Sequence, residues 1–576
     1  MRVVQVIELI GQRMLKQGRY KSIISAIEKL PEKIFYKNLE ILKYYGEALG
    51  YLGGLAKAKD VLMMALRQVG KNKKLKTEIM YTLSGVLINQ GNLKEAIRLL
   101  KWLLRICPDM LYLVKASAMN SLGAIDNSLG GKRLIEARKL FHQAFRIAER
   151  HRLDELKTSI LNNWAMNEFK MGNLKDAYSK ILPAIELLRE HFSLGCGAGF
   201  YNGARISLLL GDINSANRIL KTGMEVCKAY NDPWSMAGLR PGFGFLAIEE
   251  SDLKTAMEYI NKTFGIYEQL RVPWLIITAL NELCRIEIMD DNIVEAERII
   301  NKINEFKKAK DDADSISILL TEAQIKIAKN EYDGVLELLN KVKELSQKYK
   351  LRFDLFLTEL KLCTALNKKG RTNELKKILF KLMDKAEKNG FDFILLKEMK
   401  QDKKLLNFII NNHIRLNYLF SILKKFKPVN IIQVSFFGNF SLKINGSLFN
   451  EEKGQTTKAK KLFFYLLFYK NRSFTQGELI ETFWPKSGLK QGYASLRKAI
   501  HHIRKALYGY GIDEPISIRA GSYQISSDLY IISDVDEFES LLVEYKKRWV
   551  DKLRYERLFE IYKNGFLPET GLITGN

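Results

Sequence analysis

The residues with most chemistry to offer cluster near position 500. Gln491, Ser495, Arg497, Lys498, His501, His502, Arg504 and Lys505 form a run of donors and cations at helical spacing. Arg and Lys donate to guanine O6/N7 or to phosphate, Gln pairs with the adenine edge, and His does either according to its protonation. Lys458, Lys460 and Lys461 precede this run, and Arg519 and Ser522 follow it. Such a set recognises an anionic, hydrogen-bonding surface. Bond-making chemistry is much harder to find. Gly130-Gly131-Lys132-Arg133 lacks the first Gly and the hydroxyl of a phosphate-wrapping loop. His501 and His502 are adjacent, so on a helix they diverge by about 100°, whereas a metal pair needs i, i+4. Ser495-x-x-Lys498 and Lys221-Thr222-Gly223 hold parts of a serine acyl-transfer signature, in the wrong order and without its middle motif. Cys107, Cys196, Cys227, Cys284 and Cys363 are single, far apart and odd in number. That argues against a disulfide framework or a Cys-based metal site, and it fits a reducing compartment. With six His and no HExxH, CxxC pair or triad, no enzyme is expected: no catalytic residue, metal or cofactor.

The run near 500 needs a helix with an apolar back. At 100° per residue, Leu496, Ile500, Ile503 and Leu507 share one narrow stripe. Gln491, Ala494, Lys498, His501, His502 and Lys505 fall opposite, and Arg497 and Arg504 flank the stripe. The face opposite is either a groove reader or an ordinary solvated surface. The helix should span about 492–507. Upstream, Pro428 stops a helical region, and Val434, Phe436, Phe440, Leu442 and Ile444 share one parity, which reads as strands turning near Gly438 and at Asn445-Gly446. Helices are expected over 457–469 and 475–484, the second with Thr475 and Glu478 at capping-box spacing. A loop, Lys486, Ser487, Leu489 and Lys490 among its residues, leads into the third helix. Ile516, Ile518, Tyr523 and Ile525 then read as a hairpin with its tip at Ala520-Gly521-Ser522.

Strands, three helices and a hairpin in this order are a winged helix-turn-helix order. The motifs FFGNFSLKING, KAKKLFFYLL, ELIETFWP, LRKAIHHIRKAL and AGSYQI resemble the OmpR/PhoB-type winged helices, and within them the antibiotic-regulatory-protein (SARP) branch, over about 431–540. The resemblance implies that the third helix reads the major groove and that Arg519 reaches the minor groove or a phosphate. It also implies that the loop with Lys486, Ser487, Leu489 and Lys490 touches RNA polymerase. In that branch a helical bacterial transcriptional activation (BTAD) domain follows; Asp536, Phe538, Tyr562 and GFLPET at 565–570 look like its opening. Members usually continue well beyond the position corresponding to Asn576, so a shortened domain or a fragment is expected. Many also carry a nucleotide-binding switch domain before their repeats, and none is expected here.

Residues 1–425 carry a repeat. A small turn followed by a helix with a small residue at fixed offset starts at Gly18, Gly54, Gly91, Gly131, Gly172, Gly211, Ser251 and Asp291, with weaker copies at Asn330 and Gly370. The spacing of about 36–41 residues is a solenoid period. Gly suits the left-handed turn, Asn or Asp beside it can cap the next helix, and Ala96, Ala177 and Ala216 let paired helices approach closely. These copies resemble long tetratricopeptide (TPR) repeats, which implies a superhelix whose concave face takes a protein, a peptide or a small-molecule signal. Trp102, Trp164, Trp234 and Trp274 are expected mainly in the core between helices.

The 576 residues carry 92 Lys+Arg against 65 Asp+Glu, a net charge of +27. The excess suits either a polyanion partner or solvated faces in a Lys-rich chain. Hydrophobic content of 47% excludes wholesale disorder, and ten prolines suit long helices. No apolar run is long enough for a membrane span, and the N-terminus lacks the apolar core of a signal peptide. The expectations are a mostly α chain: a TPR-like superhelix over 1–425, a small α+β winged helix-turn-helix over 426–530, and a helical segment resembling a truncated BTAD domain over 531–576. They describe a cytoplasmic, bacterial, sequence-specific DNA-binding transcriptional regulator, an activator, with promoter or operator DNA and RNA polymerase as partners and no membrane. The alternative is a TPR adaptor whose winged helix contacts protein.

Overall fold

A computed structural model describes residues 2–190, 197–230, 232–269, 273–306, 315–412, 414–426, 430–438, 440–449, 457–519, 521–526, 529–546, 552–563 and 565. Cys196, Pro428, Ala520 and 566–570 lie outside the described residues, as do the side chains of Trp234 and Trp274. The chain forms two compact units: Met1–Ile378 with Asp384–Phe391, and Leu379–Met383 with Asp392–Asn576. Among the described residues no helix is long and apolar enough to cross a membrane.

The first unit is a solenoid of antiparallel helix pairs, the TPR-like arrangement the repeat implies. Lys73–Asn89 pairs with Leu93–Ile106, Tyr112–Leu129 with Arg133–Arg150, Asp154–Lys170 with Leu174–Glu190, and Gly197–Leu209 with Ile213–Ala229. The series continues to Ser315–Ala328 with Tyr332–Lys348, and Arg352–Lys368 opens the next pair. At the turn inside each pair one residue is left-handed. Gly91 has φ 75°, and where Gly is replaced, Ser251, Asp291 and Asn330 adopt 64°, 61° and 61°. An L side chain there costs roughly 1–2 kcal/mol, so the turn geometry is enforced by the packing around it. That packing is tight: Ala96, Ala137, Ala177, Ala216, Ala256 and Ala296 are all fully buried. The capping expectation holds at Asp, where Asp212 accepts from Ser215 N at 2.9 Å and Asp252 from Thr255 N at 3.0 Å. It fails at Asn. Asn92 makes no side-chain cap, and Asn173 and Asn292 donate backwards, each at 2.8 Å, to Glu168 and Glu287. An amide also carries donors, and a carboxylate that takes them draws the side chain away from the free N–H groups at the helix start.

In the second unit, helices Asp392–Gln401, Lys403–Asn411 and Leu416–Phe426 group with a small β-containing C-terminal region. One sheet has the order Ser447–Leu448, Ser441–Ile444, Asn430–Ser435, Leu529–Ser533, with the last pair parallel. The other has Phe474–Thr475, Ser522–Ile525 and Ile516–Arg519, all antiparallel. Helix Thr457–Phe468 precedes the second sheet's first strand in sequence, and Gln476–Phe483 and Leu489–Tyr508 lie between that strand and Ile516–Arg519. Val434, Phe436, Leu442 and Ile444 are buried as their shared parity requires, and the Asn445-Gly446 turn has φ 49° and 82°. The Thr475/Glu478 capping box forms in both directions. Asp534–Lys546 and Lys552–Lys563 follow, joined by Arg557 to Glu537 at 2.8 Å and by Phe538 stacked on Tyr562.

Candidate functional sites

The helix Leu489–Tyr508 is amphipathic along its whole length. Leu496, Ile503 and Leu507 are fully buried and Ile500 is 5% exposed, in one core with Phe463, Phe474 and Leu479. Gly492 lets the preceding helix come close, since a Cβ there would sit 2.5 Å from Ile480 Cγ2. The sequence reading starts this helix near Gly492, but it begins at Leu489, on Gly488 as N-cap. Leu489, Lys490 and Gln491 therefore belong to its first turn and not to the loop. Glycine is a poor helix former, and close packing overrides that preference.

Gln491, Arg497, Lys498, His501 and Lys505 are exposed together on the outer face. Ser495 and His502 are half-buried. Arg504 turns away: its Nη2 lies 3.9 Å from Glu514, and its Nε is buried without a hydrogen bond, as is His502 Nδ1. Tyr493 is 37% exposed beside this face, a placement the sequence does not signal because an aromatic residue in a helix reads first as core. Lys458 is exposed with its ammonium 5.6 Å over the Trp484 ring, while Lys460 and Lys461 are half-buried. Arg519 and Ser522 face each other in the hairpin register, with Arg519 exposed. Lys486 and Lys490 are exposed, Leu489 is 69% exposed, and Ser487 N bonds Trp484 O at 2.9 Å.

The first helices of successive pairs also meet one another, as Asp154–Lys170 meets Tyr112–Leu129 and Gly197–Leu209, and polar side chains bond across these contacts. Asn163 donates to Asn120 at 3.1 Å, Asn120 to Ser159 at 3.0 Å, and Asn202 to Asn162 at 2.9 Å. Glu168, 1% exposed, accepts from Trp164 Nε1 at 3.0 Å and Asn173 at 2.8 Å and pairs with Arg138 at 2.7 Å. Trp164 thus has a polar tie as well as its core contacts. Trp102 corrects the core expectation: it is 44% exposed with Lys76 over its ring, because its position on Leu93–Ile106 faces out.

The solenoid also meets itself. Gly131 N donates to Tyr349 O, and the Phe169 and Phe353 rings lie 4.4 Å apart. Arg205 sits 5.1 Å over Phe169. At Gly172 a Cβ would fall 2.8 Å from Arg352 Cβ. Asp354 lies beside this seam, and burial pushes its carboxyl above the usual range against the opposing pull of Arg205 and Lys170. Sequence periodicity finds repeats but not which distant repeats touch, so this seam had no signal. Among the described residues no group of three His, Cys, Asp or Glu side chains forms a metal-binding cluster.

No protein-family profile matches the chain, and no curated protein matches it. Solved structures resembling it include a tetratricopeptide repeat protein from Parabacteroides merdae (15% identity, 56% of this chain and 98% of that one, TM-score 0.27). Another is a Rap protein complexed with competence and sporulation factor (12%, 65% and 99%, TM-score 0.39). A third is a signal transduction ATPase with numerous domains, carrying a tetratricopeptide repeat sensor, from Pyrococcus horikoshii (17%, 60% and 54%, TM-score 0.38). At these identities and scores no functional argument rests on the likeness.

Proposed function

We propose that the chain joins two binding surfaces: a TPR-like superhelix that engages a protein or peptide partner, and a C-terminal winged helix-turn-helix that binds duplex DNA, together a transcriptional regulator. The observation that supports the DNA reading is the exposed face of Gln491, Arg497, Lys498, His501 and Lys505 on a helix with a fully apolar back. A hairpin carrying exposed Arg519 belongs to the same small unit. Major-groove readers need such a ridge on a rigid scaffold. Half-buried Asn162, Asn163 and Asn202, on adjoining first helices, support the partner reading, since amides can pair with a peptide backbone.

A second reading keeps the superhelix as an adaptor and gives the C-terminal unit a protein partner. Leu489 and Tyr493 favour it, because exposed apolar and aromatic side chains suit protein interfaces. Selection of bound DNA from a random duplex pool with the full chain separates the two. Enrichment of one motif, lost in Lys498→Ala/His501→Ala, supports the regulator. No enrichment, with no salt-dependent duplex binding, leaves the adaptor.

A further inference from the structure

We infer that one edge of the superhelix, around residues 71–76 and 101–113, docks on an anionic lipid surface. This goes beyond the proposed function and does not depend on it. Between residues 71 and 113 the chain places eight cations and three carboxylates. Each carboxylate already holds a lysine from outside that span: Glu78 holds Lys43, Glu95 holds Lys59, and Asp109 holds Lys115. The eight cations are left without an ion pair among the described residues. Lys94, Arg98, Lys101 and Arg105 form one exposed stripe along Leu93–Ile106. Lys71, Lys73 and Lys74 are exposed where Lys73–Asn89 begins. The two helices are antiparallel, so that beginning lies beside the end of the cationic stripe. Lys76, 4.9 Å over the Trp102 ring, ties the two together.

Three large apolar side chains stand in this field. Trp102 is 44% exposed, Met110 79% and Leu113 51%. Met110 and Leu113 sit at the turn that follows the stripe, at the same end of the helix pair as Lys71–Lys74. The combination selects among polyanions. A nucleic acid would meet the cations but offer nothing to Met110 or Leu113, and Lys76 already covers a face of Trp102 that a base would stack on. Protein interfaces are depleted in Lys, and an apolar anchor there usually fills a recess in its partner. A lipid surface satisfies every group at once. Phosphate headgroups meet the cations, Trp sits at the interface, and Met110 and Leu113 enter the acyl boundary.

The test is co-sedimentation of the full chain with vesicles of phosphatidylcholine alone and with vesicles rich in phosphatidylglycerol. The chain should pellet with the anionic vesicles only, and added salt should release it. Met110→Asp/Leu113→Asp should weaken vesicle binding by about tenfold or more, because two apolar insertions become charges. Its thermal melt should stay unchanged, since both residues are exposed and Asp suits a helix's first turn. Lys73→Glu/Lys74→Glu should weaken binding by a similar factor. The proposal is overturned if the wild-type chain stays in the supernatant, or if Met110→Asp/Leu113→Asp pellets like wild type. It is equally overturned if the lysine variant loses single-stranded oligonucleotide binding while the apolar variant keeps both activities, which would make this edge a nucleic-acid face.

Discussion

Phe169 and Phe353 lie with their ring centroids 4.4 Å apart, although one is on Asp154–Lys170 and the other on Arg352–Lys368, five helix pairs further along. The contact brings together two repeats far apart in sequence, and glycine permits it. Gly172 and Gly91 occupy equivalent turns with φ 81° and 75°, yet only Gly172 faces a neighbour, since nothing lies within 4 Å of a Cβ at Gly91. Gly91→Ala should therefore lose about 1–2 kcal/mol from backbone strain alone. Gly172→Ala should lose that and also pry the seam apart. Hydrogen exchange at 349–354 reads the difference: faster in Gly172→Ala, unchanged in Gly91→Ala. Equal exchange in both would mean that the seam does not depend on this approach.

Asp354 gives the same seam a pH dependence. Burial raises its carboxyl pKa despite Arg205 and Lys170, so the folded state holds its proton more tightly than the unfolded state does. The resulting stability is present below the ordinary carboxyl range and is lost as pH rises through the folded pKa. Asp354→Asn should then melt higher than wild type at neutral pH, and the gap should close near about pH 4. A lower melt at neutral pH would mean that the attraction of Arg205 and Lys170 outweighs burial.

Much of this fold can be read from residue spacing. Left-handed residues occur at Gly18, Gly91, Gly131, Gly172, Gly211, Ser251, Asp291, Asn330 and Gly370, where the repeat places its turns; the Gly54 copy turns one residue earlier, at Gly53. The stripe Leu496, Ile500, Ile503 and Leu507 is the buried back of its helix, because a 3.6-residue period leaves one face for the core. What escaped depends on distant chain. Arg504, flanking the apolar stripe, points to Glu514, Trp102 is exposed, and the Phe169–Phe353 seam joins repeats that no local pattern connects. Helical phase says which side of a helix faces out, and only tertiary packing says what waits there.

Glu168, 1% exposed, is held by Arg138, Trp164 and Asn173. Removing it leaves three half-exposed donors to water and opens a small cavity, so Glu168→Ala should cost about 1–3 kcal/mol. Glu168→Gln keeps the shape but replaces an acceptor with a donor facing Arg138, and should recover only part of the loss. Urea unfolding of the two variants checks both values. A loss below about 1 kcal/mol for Glu168→Ala would place the network in solvent, outside the core.

The outer face of Leu489–Tyr508 sorts its residues into two behaviours if it lies in a major groove. Lys498→Ala and Gln491→Ala, both exposed mid-face changes, should each reduce discrimination against mismatched sites by about 1–3 kcal/mol. Lys458→Ala and Arg519→Ala should weaken all duplexes alike and lower the salt slope by about one unit each. Arg504→Ala separates groove contact from scaffold. With its guanidinium turned toward the exposed Glu514 and its Nε without a hydrogen bond, it should leave sequence preference intact and move the melting temperature little. Gel shifts over a salt series, with matched and mismatched duplexes, read all of these. If Arg504→Ala relaxed sequence preference as strongly as Lys498→Ala, the helix would have to be rolled about its axis relative to the face described above, with the stripe of Leu496 and Ile503 no longer its back.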